Sequence, residues 1–214
     1  MAKIVMILGR SGVGKSASLR NLNEKTYSVV EVCGKPLPFR TQKKALNSDD
    51  YTKINAFMHK SPADIIIIDD SQYLMANEFM RRARERGYDK YTELGLNFWN
   101  LINDASKLPD NKTIYFLHHS EEDKSGTIKE KTIGNMLDEK ICIAGMFSIV
   151  LYADKSDKEY FFMTQNDGRN PAKTPMGMFD KRIIDNDLAL VDQTIREYYG
   201  MPEATIIEAK EETK

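Results

Sequence analysis

The chain has 214 residues, the length of one α/β domain, and 41% of them are apolar, so an ordinary core is available. Its 31 basic and 32 acidic side chains give a formal net charge of −1; bulk charge therefore marks no polyanion binder, and any such contact needs a local patch. Only Cys33 and Cys142 are present, in no metal spacing, which fits free thiols in a reducing cytosol.

Residues 4–8 (I-V-M-I-L) read as a first strand. It begins so early that no cleavable signal is expected. Gly9, Arg10, Ser11, Gly12, Val13, Gly14, Lys15 and Ser16 follow, with the G-x-x-x-x-G-K-[S/T] spacing of a phosphate loop. The glycines let backbone N–H groups wrap around phosphate oxygens. Lys15 brings a charge to the β- and γ-phosphates, and the Ser16 hydroxyl can ligate Mg²⁺. A helix over 15–22 is expected to add its positive N-terminal end.

Further along, 27–32 (Y-S-V-V-E-V) reads as a strand, and 33–47 as a loop punctuated by Gly34, Pro36 and Pro38. Ser48, Asp49 and Asp50 form the cap region of a helix ending near Lys60. Residues 65–68 (I-I-I-I) are apolar on both faces, as a central parallel strand should be. Helices are predicted over 71–86 and 92–107, and a strand over 113–118. Residues 119–132 are polar without periodicity and read as a mobile loop. A helix is expected over 133–144. Residues 147–153 and 160–165 read as two strands of a hairpin. The longest apolar stretch, 142–153, is too short to span a bilayer. A loop over 166–179 and a helix over 190–199 complete a single domain, 1–200, and 201–214 reads as a charged, flexible tail. Strands alternating with helices predict an α/β fold. Its sheet is mostly parallel, with helices on both faces and a C-terminal β-hairpin, and ligands bind at the strands' carboxyl ends.

Asp69 follows the four isoleucines, where a Walker-B carboxylate holds Mg²⁺. Asp70 or Ser71 can also cap the next helix. Hydrolysis needs a group that orients or deprotonates water; Asp70 and Glu31 both qualify, and sequence leaves the choice open. His118, with His119 beside it, ends a strand where ATPases with a strand inserted between the two Walker strands carry a γ-phosphate sensor. Arg169 and Lys173 lie on a loop after a strand, from which a cation can reach a neighbouring subunit's γ-phosphate. Arg81, Arg82, Arg84 and Arg86 can meet DNA phosphates or simply form a solvated helix face.

The blocks G-R-S-G-V-G-K-S, I-I-I-I-D-D-S-Q-Y-L, F-L-H-H-S-E-E-D, K-T-I-G-N-M-L and T-Q-N-D-G-R-N-P-A-K-T-P, in this order, resemble phage-encoded RecA-like P-loop ATPases. Some relatives in that family act in single-strand annealing and recombination. The resemblance implies a RecA-like core that binds ATP and Mg²⁺ and works as a homo-oligomer, ring or filament, in the host cytoplasm. It implies a γ-phosphate sensor at His118 and His119, a DNA-facing loop over 119–132, and Arg169 and Lys173 presented across a subunit interface. Single-stranded DNA is the implied partner, with no membrane. The 119–132 loop departs from the pattern, because Glu121, Glu122, Asp123 and Glu130 offset Lys124, Lys129 and Lys131. The expected function is a Mg²⁺-dependent ATPase in phage DNA recombination or replication. The alternatives are a small-molecule kinase, against which no Arg-rich lid is evident, and an interaction module that binds ATP without hydrolysing it.

Overall fold

The computed structural model describes residues 1–134, 141–157 and 159–207. Its strands are β1 (Lys3–Gly9), β2 (Tyr27–Glu31), β3 (Leu46–Asn47), β4 (Ile65–Asp69), β5 (Thr113–Glu122), β6 (Ile128–Glu130), β7 (Ile149–Lys155), β8 (Tyr160–Met163) and β9 (Ile183–Asp185). The helices are α1 (Tyr51–Lys60), α2 (Gln72–Arg81), α3 (Asp89–Ser106) and α4 (Leu188–Tyr199). The sheet runs β3-β2-β4-β5-β1-β7-β8-β9, with β6 beside β5. Pairing is parallel from β3 to β7 and antiparallel through β7-β8-β9. This is the expected α/β architecture: a mostly parallel sheet, a C-terminal hairpin, and a strand, β5, inserted between β1 and β4.

Strand alternation splits the core in two. Met6, Leu8, Ile66, Ile68, Ile114 and Phe116 face α1, α2 and α3. Val5, Ile7, Ile65, Ile67, Tyr115 and Leu117 face α4 and the segment after the phosphate loop. Both faces are covered, so the central strands read as continuous apolar runs. Two aspartates start helices: Asp50 accepts from the Thr52 and Lys53 N–H groups at 2.9 and 3.1 Å, and Asp187 from Ala189 N–H at 2.9 Å. No helix among the described residues is long and apolar enough to cross a membrane.

Several local expectations are corrected. The segment after the phosphate loop is a six-residue 3-10 helix, Ser16–Asn21. Ser18 Oγ donates to the Lys15 carbonyl at 2.6 Å, while Arg20 and Asn21 bond to Asn186 and Asp187 at 2.6 Å. These polar ties hold the short turn against the start of α4. So short a helix adds little dipole to the end of the phosphate loop. Residues 119–132 are not a loop but the continuation of β5, a turn and antiparallel β6. Asp123 Oδ1 accepts from Ser125 and Thr127 N–H at 2.8 and 2.9 Å and closes that turn. The short strands β3 and β9 lie in segments read as loop or left unassigned. The helix expected over 71–86 stops at Arg81, because Arg82 ties Glu78, Glu85 and Glu93 into the turn before α3, at 3.2, 2.7 and 2.6 Å. Of the helix expected over 133–144, residues 135–140 lie outside the described residues, and its end belongs to a 3-10 turn, Ile143–Met146. Residues 201–207 lie against the domain: Thr205 N–H donates to Asp64 Oδ2 and Ile207 N–H to the Lys25 carbonyl, both at 2.8 Å.

Helix α4 is pinned by buried charge. Arg196 Nε lies 2.6 Å from Asp192 Oδ2, and Tyr115 donates to Asp192 Oδ1 at 2.8 Å. Removing one partner leaves the other charged and buried. Asp192→Ala should therefore lower unfolding free energy by about 3–5 kcal/mol in urea titrations.

Candidate active site

The carboxyl ends of β1, β2, β4 and β5 open onto one cleft of about 500 Å³. Parallel register decides its neighbours: Glu31 lies opposite Asp69, and Gly9 opposite His119. Ser11, Gly12, Gly14, Lys15 and Ser16 line the cleft. Gly12 and Gly14 hold φ of 80° and 84°, which disfavours other residues there. A Cβ on Gly14 would also stand 2.9 Å from a ring carbon of Tyr160. The other three loop residues serve the scaffold. Gly9 ends β1, Val13 is buried in the core, and Arg10 forms an ion pair with Glu122 on β5.

Lys15 Nζ donates to the Gly9 and Arg10 carbonyls, each at 2.8 Å, so the loop holds its own lysine. Burial lowers the Lys15 pKa to about 8, against the pull of Asp70 and Asp69. The Ser16 hydroxyl lies by the Asp69 carboxylate and works against the rise in its pKa. Two adjoining oxygen donors suit Mg²⁺, which completes its shell with phosphate oxygens and water. Among the described residues no cluster of three or more His, Cys, Asp or Glu could hold a metal by itself. The residues present thus fit a Mg²⁺–nucleotide complex.

Three carboxylates crowd this end of the sheet, each in a different state. Asp69 is pushed up mainly by burial, opposed by Ser16. Asp70 is held well below the usual carboxylate range, mainly by His119 Nε2 at 2.9 Å from Oδ1, with Lys35 Nζ 3.1 Å from Oδ2. Its φ of 57° is left-handed, a conformation that costs a non-glycine residue about 1–3 kcal/mol. Glu31 is 6% exposed and lines the cleft, and its Oε1 has no partner. Burial, then the charges of Asp69 and Asp70, raise its pKa to about 8.

The two histidines separate by strand parity. His118 lies on the α3 side, fully buried with its ring 5.5 Å from Phe98. Nε2 donates to the Lys131 carbonyl at 3.0 Å, Nδ1 faces Ser71 Oγ at 2.9 Å, and burial lowers its pKa to about 3. It is a neutral structural ring. His119 is the one that lines the cleft. Arg169 and Lys173 are exposed and line no part of it. The Arg169 carbonyl accepts from Ile128 N–H at 2.6 Å, and Lys173 pairs with Val150 through backbone bonds of 2.9 and 2.8 Å. Of the arginine run, Arg81 and Arg82 are paired with acids.

Lys35, Tyr73 and Tyr160 also line the cleft and escaped the sequence reading. The signal for Lys35 was its place four residues beyond Glu31, at the end of a strand beside the Walker-B strand.

The raised Glu31 pKa has a sign. Between the ordinary glutamate range and about pH 8 the folded chain holds a proton that the unfolded chain releases, so stability from this group falls as pH rises. In chelator-treated, metal-free protein, Glu31→Gln should melt higher than wild type. The gap should widen from pH 5 to pH 8 and level off above it, as read by thermal melts across that range.

A family model described as an AAA domain matches residues 1–176, from the phosphate loop through β8. No curated protein matches the chain. Taken with the inserted β5, the glycine-lined loop and the Ser16–Asp69 pair, the match means that the chain belongs to the AAA-domain family of P-loop NTPases.

Proposed function

We propose that the protein is a Mg²⁺-dependent ATPase acting on phage DNA in recombination or replication, with single-strand annealing among the processes it could serve, in the host cytoplasm. The observation that carries hydrolysis is the free, buried Oε1 of Glu31 beside Asp69. Its unpartnered oxygen, when the carboxyl is ionised, is free to accept a proton from attacking water. Asp70 is the weaker base, because both its oxygens are occupied. Phage DNA as the setting rests on the ordered sequence blocks.

In this reading the Gly12–Gly14 backbone cradles the phosphates and Lys15 leaves its carbonyls for the β- and γ-phosphate oxygens. Ser16 and Asp69 would hold Mg²⁺, which would supply charge neutralisation at the phosphates. Glu31 orients and deprotonates water, and His119 donates toward the γ-phosphate end of the cleft. Tyr160, standing on Gly14, walls the side of the loop. Arg169 and Lys173, exposed and outside the cleft, serve a neighbouring copy's nucleotide in a ring or filament.

Lys15→Ala should abolish nucleotide binding in a folded protein. Glu31→Gln should bind ATP as wild type does yet lose about 10²-fold or more in turnover. Asp69→Asn should lose the Mg²⁺ dependence of both. Phosphate release and sedimentation, each with and without single-stranded DNA, decide the reading. Turnover with water as the only acceptor separates it from a small-molecule kinase; tight binding without turnover returns it to an interaction module. Arg169→Ala mixed with Lys15→Ala should recover activity if the exposed cations act between subunits.

A further inference from the structure

The strand that delivers Glu31 also delivers a cation. After Glu31 the chain makes a tight turn, with Gly34 N–H 3.3 Å from the Glu31 carbonyl, and Lys35 comes back over the cleft. Pro36 and Pro38, which also line the cleft, stiffen the segment that follows. Lys35 Nζ sits 3.1 Å from Asp70 Oδ2 and 5.3 Å from the centre of the Tyr73 ring. The other Asp70 oxygen takes His119 at 2.9 Å. One carboxylate thus occupies two donors, Lys35 and His119, at the end of the cleft that holds Glu31. An ammonium has three donors, so Lys35 keeps others for a ligand. Lys15, the other cation of the cleft, is held by the Gly9 and Arg10 carbonyls of the phosphate loop and makes no hydrogen bond to Asp70.

We propose that Lys35 is the cation that meets the transferring phosphoryl group, supplied from the same chain, and that Asp70 positions it; this rests on the ATPase reading above. In the step, the water oxygen bonds to the γ-phosphorus while the bond from phosphorus to the β,γ-bridging oxygen breaks. That electron pair stays on ADP, and the water proton passes to Glu31. Charge spreads over the equatorial oxygens of the phosphoryl group, and a fixed cation there stabilises it without moving a proton. Lys35 reaches only the γ-phosphate end, so it should distinguish ATP from ADP. Asp70, with its left-handed backbone, is the arm that holds the exposed Lys35 ammonium at the rim of the cleft.

The experiment measures ATP and ADP affinity by displacement of a fluorescent ADP, and phosphate release, for wild type, Lys35→Ala, Lys35→Arg and Asp70→Asn. Lys35→Ala should weaken ATP about tenfold or more, leave ADP unchanged and lower kcat about 10²-fold. Lys35→Arg should recover much of both, and Asp70→Asn should show part of the loss. A purely structural contact would instead lower the melting temperature with the ATP/ADP ratio intact. That ratio unchanged in Lys35→Ala overturns the proposal while leaving the ATPase reading standing. Wild type that binds both nucleotides but releases no phosphate overturns hydrolysis, and the affinity ratio alone then judges Lys35. Wild type that binds neither overturns both. Mixing Lys35→Ala with Lys15→Ala protein should restore nothing; restored turnover would place Lys35 in the neighbour's site and overturn its action within one chain.

Discussion

Three carboxylates converge on the carboxyl end of one parallel sheet, and the rest of the site is arranged around the repulsion between them. The parallel pairing of β2 with β4 forces Glu31 beside Asp69, and the chain reversal after β4 adds Asp70. Water cannot screen them, because Glu31 and Asp69 are buried. The fold disperses the charge unevenly. Asp70 takes a histidine and a lysine, Ser16 opposes the rise at Asp69, and the pKa of Glu31 is pushed up to about 8. A divalent cation placed against Ser16 and Asp69 would offset part of that negative charge.

The central architecture was legible because it obeys local rules. Residues 4–8 and 65–68 are apolar on both faces, and the glycine spacing before Lys15 has a single physical use. Asp69 was placed by nothing more than its position after four isoleucines. The helix after the phosphate loop was misjudged because Arg20 and Asn21 bond across to Asn186 and Asp187 at the start of α4, a contact more than 160 residues away in sequence. The β5–β6 hairpin was missed because both its strands are polar and carry no apolar alternation to read. Lys35 was missed for a related reason: its partner, Asp70, becomes a neighbour only when β2 and β4 pair.

His118 and His119 show what parity adds to a motif. Two identical residues at one strand end meet different solvents. The ring on the α3 side is dry, neutral and bonded at both nitrogens. The ring on the loop side meets an acid and the cleft. Tyr115 and Leu117, in step with His119, already mark which face that is. Ser71 joins the two sides, since it begins the turn into α2 by donating its N–H to the Leu117 carbonyl and also faces His118.

Arg10 spans a different gap. Its guanidinium clasps Glu122, near the outer end of β5, while its carbonyl accepts from Lys15. The base of that hairpin is anchored separately, where buried Glu130 accepts from Ala144 N–H at 2.9 Å. The hairpin is thus held at its base by Ala144, on β6 by the Arg169 carbonyl and on β5 by Arg10, whose own carbonyl helps to hold Lys15, so its outer end is joined to the phosphate loop by one side chain and one peptide group.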